Sequence, residues 1–167
     1  MAKKADNPDY DELPVDSPER KRLPLLLRRA WYNLNKTFRR RISHAGATPD
    51  QFTVLRTLHE GDAAGLTQSE LTRAMSSDPN TVASLLERME NSDWIERKPH
   101  ETDRRANRIL LKPAGKRKFT QLRDIAAGLQ LEILEVLPEK DREKFLEQLA
   151  DIAEAGHATA EEAARTK

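Results

Sequence analysis

A mainly α fold with one small β-hairpin is what this sequence predicts, and three observations carry the prediction. Apolar residues recur at three- and four-residue spacing through most of residues 23–156. Two helix-start signals stand close together, Thr67-Gln68-Ser69-Glu70 and Ser76-Ser77-Asp78-Pro79. The period then changes to two short runs, Trp94–Lys98 and Arg108–Leu111, on either side of a polar, basic connection.

In chain order, residues 1–22 are polar, contain proline and lack periodicity, and read as a flexible tail. Leu23 to Ser43 places Leu27, Ala30, Trp31, Leu34, Phe38 and Ile42 on one helical face. Thr48 can cap a second helix, with Pro49 at its first position and Gln51 completing a capping box. Phe52, Leu55 and Leu58 form its buried side, and Gly61 to Gly65 is a break.

Thr67 and Glu70 form a second capping box, with Leu66 and Leu71 placed as a hydrophobic staple. This short helix should end near Met75. Asp78 then caps a helix that starts at Pro79 and buries Val82, Leu85, Leu86 and Met89. The hairpin follows, its long tip running from Pro99 to Asn107. After Pro113, a long helix carries Phe119, Leu122, Ala126, Leu129, Ile133 and Val136 as a heptad-like seam. Pro138 breaks it. A last helix carries Phe145, Leu149 and Ile152, with Gly156 as its expected stop and residues 157–167 as a fraying tail. A short helix pair followed by a two-stranded wing is the plan of a winged helix-turn-helix.

A chain of 167 residues is enough for one ordinary domain. It has no cysteine, which excludes disulfides, thiolate metal sites and thiol redox switches. No apolar run approaches the roughly 18 residues of a membrane helix, and the first residues lack the apolar stretch of a secretory signal. A cytoplasmic protein away from membranes is therefore expected. The net charge of +1 conceals an asymmetry: residues 1–131 carry 24 Lys/Arg against 18 Asp/Glu, and residues 132–167 carry 5 against 10. A balance of this kind marks either a nucleic-acid face or merely a solvated helix surface.

On the Pro79–Asn91 helix, at about 100° per residue, the face opposite the apolar one carries Asn80, Ser84, Glu87 and Asn91, flanked by Thr81, Ala83 and Arg88. Its small and polar start fits a major groove, where Asn80, Thr81 and Ser84 can bond base edges or phosphates and Ala83 can touch a thymine methyl. An ordinary amphipathic helix would look similar. The hairpin tip is more specific. Asp103, Arg104 and Arg105 put an acid and two guanidinium groups on a projecting loop, where an arginine can enter a narrow minor groove. Arg97, Lys98, Arg104 and Arg108 are placed for flanking phosphates. The alternative, a solvated charged turn, is weakened by the helix pair in front of it.

From Leu66 to Gly115 the sequence resembles the MarR family of regulators. The residues that carry the resemblance are Leu66–Leu71, Thr81-Val82, Leu85–Glu90, Trp94–Arg97, Asp103–Arg105 and Leu110–Gly115. With the flanking helices it extends over residues 23–156. The resemblance implies a homodimer with interlocking first and last helices, a dimer arm of residues 23–45 and 113–156, and a DNA-binding lobe of residues 48–112. It further implies a palindromic operator, repression, and release by a small aromatic or anionic ligand in a crevice. The DNA-facing set includes Thr67 and Gln68 at the start of the short helix. Trp31, Phe38 and Phe52 are crevice candidates, with a purely core role as the alternative. Three departures from the family pattern stand out: Ser84 where a basic residue is common, Asp93 where glycine is usual, and Lys112 where threonine is usual. Asp93 tolerates a left-handed turn, and Lys112 removes a side-chain cap.

Catalysis is not expected. There is no Gly-rich phosphate loop, His-Glu-x-x-His or Gly-x-Ser-x-Gly. His44, His59, His100 and His157 lack metal-ligand spacing and read as surface or satisfied histidines, so no metal or cofactor is expected. A winged-helix module for protein contact, without specific DNA binding, is the competing reading.

Overall fold

The computed structural model describes Pro14, Ser17, Pro18, and residues 20–103 and 106–166. They form α1 (Leu23–Arg41), a 3-10 turn (Ser43–Ala45), α2 (Pro49–Glu60), β1 (Leu66–Thr67), α3 (Gln68–Ala74), α4 (Pro79–Asn91), β2 (Ile95–Pro99), β3 (Asn107–Leu111), α5 (Pro113–Leu134) and α6 (Glu139–Arg165). The expected mainly α plan with its hairpin is present, and one strand is added to it.

Local chemistry sets the starts of the central helices. Thr48 and Gln51 cap α2 reciprocally, as do Thr67 and Glu70 for α3. Asp78 accepts hydrogen bonds from the backbone N–H groups of Asn80 and Thr81 at 3.0 and 2.9 Å, and Pro79 occupies the first turn of α4. Lys112 gives α5 no side-chain cap, and Pro113 alone begins that helix. Asp93 adopts a left-handed conformation at φ 60° in the turn after α4.

The strands form one antiparallel sheet in the order β1-β3-β2. Leu66 pairs with Ile109 and Thr67 with Arg108, while β2 runs from Ile95 opposite Leu111 to Pro99 opposite Asn107. β1 is the strand that sequence periodicity does not reveal, because two residues show no alternation. The core sits between α2, α3, α4, the sheet and the first half of α5. Leu55, Leu71, Val82, Leu86, Met89, Ile95, Ile109 and Leu122 are essentially inaccessible there.

The arm elements behave differently. α1 buries Phe38, followed by Ile42 at its C-cap, but Leu23, Leu26, Leu27 and Trp31 stay exposed, Trp31 at 63%. Along α5, Phe119, Leu122 and Leu129 are buried, whereas Ile133 is exposed and Val136, just beyond the helix, is 85% exposed. No residue of α6 is buried. Arg41 at the end of α1 bonds Glu132 of α5 at 2.6 Å and ties the two arm helices together.

Gly156 does not stop the last helix, which continues to Arg165. A Cβ at Gly156 would meet nothing within 4 Å, so no contact favours an ending there. Ala153, Ala155, Ala158 and Ala160 are strong helix formers and outweigh the cost of one glycine, about 1 kcal/mol. Glu161 faces His157 and Arg165 at 3.7 and 3.4 Å, one turn away on each side. The expected tail at residues 157–167 is therefore helical through Arg165, and Lys167 lies outside the described residues.

Gly115 makes the closest packing at the junction of hairpin and α5. A Cβ there would collide with the Trp94 carbonyl oxygen, which also accepts the Lys112 N–H at 3.0 Å. Gly115→Ala is expected to destabilise the fold by about 3 kcal/mol, an overpacking cost with little room for relief. A shift in the urea midpoint at unchanged m-value measures it; a wild-type midpoint would contradict this packing account.

Candidate nucleic-acid interface

The outer face of α4 begins with Asn80 and Thr81, both exposed, followed by half-buried Ala83 and exposed Ser84. Their backbone is held from both sides. Asp78 caps the helix from in front, and Gln68 Nε2 donates to the Pro79 carbonyl at 3.2 Å from the first turn of α3. Arg88 folds back along α4, its Nε donating to the Ser84 carbonyl at 3.2 Å.

Thr67 and the Gln68 Nε2 thus make hydrogen bonds within the protein. The Thr67 hydroxyl and backbone N–H both donate to Glu70 Oε2, at 2.8 and 2.6 Å. Their geometric role is to fix α3 against α4. Together with Ser69, Arg97 and Asn107 they line a cleft of about 300 Å³ between α3 and the hairpin. This cleft joins the helix pair to the wing, with the α4 face adjoining it through Gln68.

On the hairpin, Arg97 Nε sits 3.2 Å from Glu90 Oε2 of α4, and Lys98 pairs with Glu96 at 2.9 Å. Both cations remain partly exposed. Arg108, expected at flanking phosphates, makes internal contacts in this structure. Its Nε donates to Glu101 Oε2 at 3.2 Å and its Nη1 to the Gly65 carbonyl at 3.0 Å, and its side chain is only 19% exposed. It braces the wing against the turn before β1. Asp103 lies in the wing loop, and Arg104 and Arg105 lie outside the described residues.

His100 and Glu101 are the wing residues that the sequence reading missed. His100 Nδ1 accepts from the Thr102 and Asp103 N–H groups at 3.3 and 3.2 Å. The available signal was a side chain of hydrogen-bonding length two and three residues ahead of free backbone donors. The crevice candidates do not converge. Phe38 and Phe52 meet in the core, ring centroids 5.1 Å apart, and Phe119 stacks on Phe52 at 6.0 Å. Trp31 stands exposed further up α1, and the cleft between α3 and the hairpin is lined by none of the three.

Hydrogen bonding sets the ionisation of the capping carboxylates. The Thr67 backbone N–H, then its hydroxyl, hold Glu70 below its ordinary value of 4.5. The Thr81 hydroxyl and N–H do the same for Asp78, ordinarily at 3.8. Among the described residues, no group of three or more His, Asp or Glu is placed to hold a metal, and no helix is long and apolar enough to cross a membrane.

A helix pair with a presented second helix, joined to a basic hairpin, defines a winged helix-turn-helix. Residues 47–106 match the model of the MarR family. No curated protein matches the chain by sequence. Solved structures match its fold. A MepR–DNA complex from S. aureus is 20% identical at TM-score 0.73, covering 81% of this chain and 99% of that one. CouR bound to a 23-mer DNA duplex is 24% identical at TM-score 0.71, covering 79% and 92%. A MarR transcriptional regulator from Methanosarcina mazei Go1 is 20% identical at TM-score 0.74, covering 82% and 97%.

Both capping carboxylates ionise more readily in the fold than in an unfolded chain. Their contribution is complete above their ordinary values and is lost as pH falls through the lowered folded ones. Thermal melts between about pH 7 and pH 3 should show a falling midpoint below the ordinary carboxylate range. The double variant Glu70→Gln, Asp78→Asn should show a shallower fall. An identical slope in both proteins would remove the caps from the account.

Proposed function

We propose that this chain is a sequence-specific, double-stranded-DNA-binding transcriptional regulator acting as a homodimer. The observation that carries the reading is the α4 face, with Asn80, Thr81 and Ser84 exposed and its N-terminus fixed by Asp78 and Gln68, beside a basic hairpin. Such a helix enters the major groove, and its first turns read base edges. The wing sequence Asp103-Arg104-Arg105 lies against the adjacent minor groove, where arginine is favoured by the negative potential. Arg97 and Lys98 serve phosphates once DNA competes with Glu90 and Glu96. Two of the structures that share the fold are DNA complexes, which supports the same use here.

The exposed apolar residues of α1, α5 and α6 support the dimer. Leu23, Leu26, Trp31, Ile133, Phe145 and Ile152 form an arm that one chain leaves uncovered. A second copy covers it and presents two α4 helices to a palindromic operator. The chain acts in the cytoplasm as a repressor without catalytic chemistry of its own, and a small aromatic or anionic ligand releases it from DNA. The DNA reading is preferred to a module for protein contact alone because the exposed polar start of α4 stands beside the basic hairpin.

Selection of duplexes from a random library, followed by footprinting, tests the proposal. The protected half-sites should be centred about 34 Å apart, one helical turn, or a multiple of it. Affinity should fall steeply with added salt. Arg105→Ala should weaken binding about tenfold or more while sedimentation still reports a dimer. Wild-type affinity in that variant would remove the wing from the interface, and salt-insensitive capture of a protein with no duplex bound would favour the contact module.

A further inference from the structure

We propose that His100 is the positioning residue of the wing and that it holds the wing loop only in its neutral form. The proposal rests on the DNA-binding reading for its functional consequence, but the device itself is visible in the loop. The His100 side chain is 18% exposed. Its backbone N–H donates to the Ala106 carbonyl at 3.1 Å, and the Ala106 N–H donates to the Asp103 carbonyl at 3.1 Å. Beside these bonds, Nδ1 lies 3.3 Å from Thr102 N, 3.2 Å from Asp103 N and 3.4 Å from Thr102 Oγ1. A backbone N–H can only donate, so Nδ1 must present its lone pair and carry no proton.

The charged groups around the ring decide what protonation does. Glu101 Oε2 is 3.7 Å from Nδ1 and also holds Arg108 Nε at 3.2 Å. Glu70, at the start of α3, feels the His100 charge as well. Asp103 is the residue whose backbone is held. A proton on Nδ1 faces two N–H donors, loses both bonds and turns towards Glu101. That movement also competes with Arg108 for the carboxylate and loosens the brace to Gly65. The segment from Thr102 to Asp103, which leads into the wing arginines of the sequence, then loses its fixed position.

The direction of the effect is diagnostic. Added positive charge ordinarily strengthens DNA binding, so protonation of exposed histidines would raise affinity on acidification. Release of the wing lowers it. The full-length protein and the duplex that wild type selects are measured at fixed ionic strength at about pH 7.5 and about pH 5.5, values that span the ordinary histidine range. Loss of two neutral hydrogen bonds is expected to weaken wild-type binding about tenfold at the lower pH. His100→Asn supplies a side-chain oxygen acceptor that does not titrate, and should keep wild-type affinity at about pH 7.5 without the acid loss. His100→Ala should bind weakly at both values while melting like wild type.

An acid loss that persists in His100→Asn, or wild-type binding by His100→Ala, overturns the proposal. A readout without DNA separates it from the regulator reading. The Thr102 and Asp103 amide resonances should titrate together with the His100 ring, and amides that stay fixed through that titration also overturn it. Absence of binding to every duplex, with coupled amide titration intact, defeats the regulator reading alone.

Discussion

The pairing of Leu66 and Thr67 with Ile109 and Arg108 is the contact on which the rest of the reading head depends. It is only two residues long, yet it attaches the turn before α3 to the middle strand of the sheet. The helix pair and the hairpin are otherwise joined by the turn from α4 into β2, where the Trp94 N–H donates to the Met89 carbonyl at 3.0 Å. Its geometry leaves no slack. Gly65 sits at φ 90°, and a Cβ there would lie 2.6 Å from the Ile109 carbonyl oxygen. The Gly65 carbonyl meanwhile receives the Arg108 guanidinium. Thr67 is at once a strand residue and the cap of α3, so one residue fixes sheet register and helix start together.

Much of this was legible from residue order. The capping boxes at Thr48 and Thr67 and the cap at Asp78 are local rules, written within four residues, and the structure contains each of them. The apolar face of α4 follows from period alone. What escaped is what depends on distant partners. β1 owes its existence to β3, some forty residues later, and has no periodicity of its own. The partners of Arg108 are likewise invisible in the sequence, because Gly65 lies some forty residues before it and is brought beside it only by the fold. Gly156 was misread for a related reason: stopping a helix requires a reason to turn, and nothing packs there to provide one.

The apolar residues divide into two populations that a hydropathy pattern treats alike. Along α5 the same seam passes from Phe119 and Leu122, sealed in the lobe, to exposed Ile133, without a change of chemistry. The first part stabilises the single chain through burial, and the second gains nothing until another surface arrives. The Arg41–Glu132 pair sits on the arm helices and keeps α1 aligned with α5 where the lobe ends. α5 itself runs unbroken from the buried core to exposed Ile133.

Asp93 and Lys112 carry a lesson of a different kind. Each departs from the family pattern, and each looks separately like a defect: a side chain in a left-handed turn and a missing cap. In the fold their side chains are bonded to one another, and that bond holds the Lys112 ammonium above its ordinary lysine value. The two positions therefore form a single unit of sequence change. Restoring glycine at position 93 alone would strand the lysine, and restoring threonine at position 112 alone would strand the aspartate. Substitution tolerance at either site is conditional on the other. A scan that varies one position at a time would miss this dependence between the two residues.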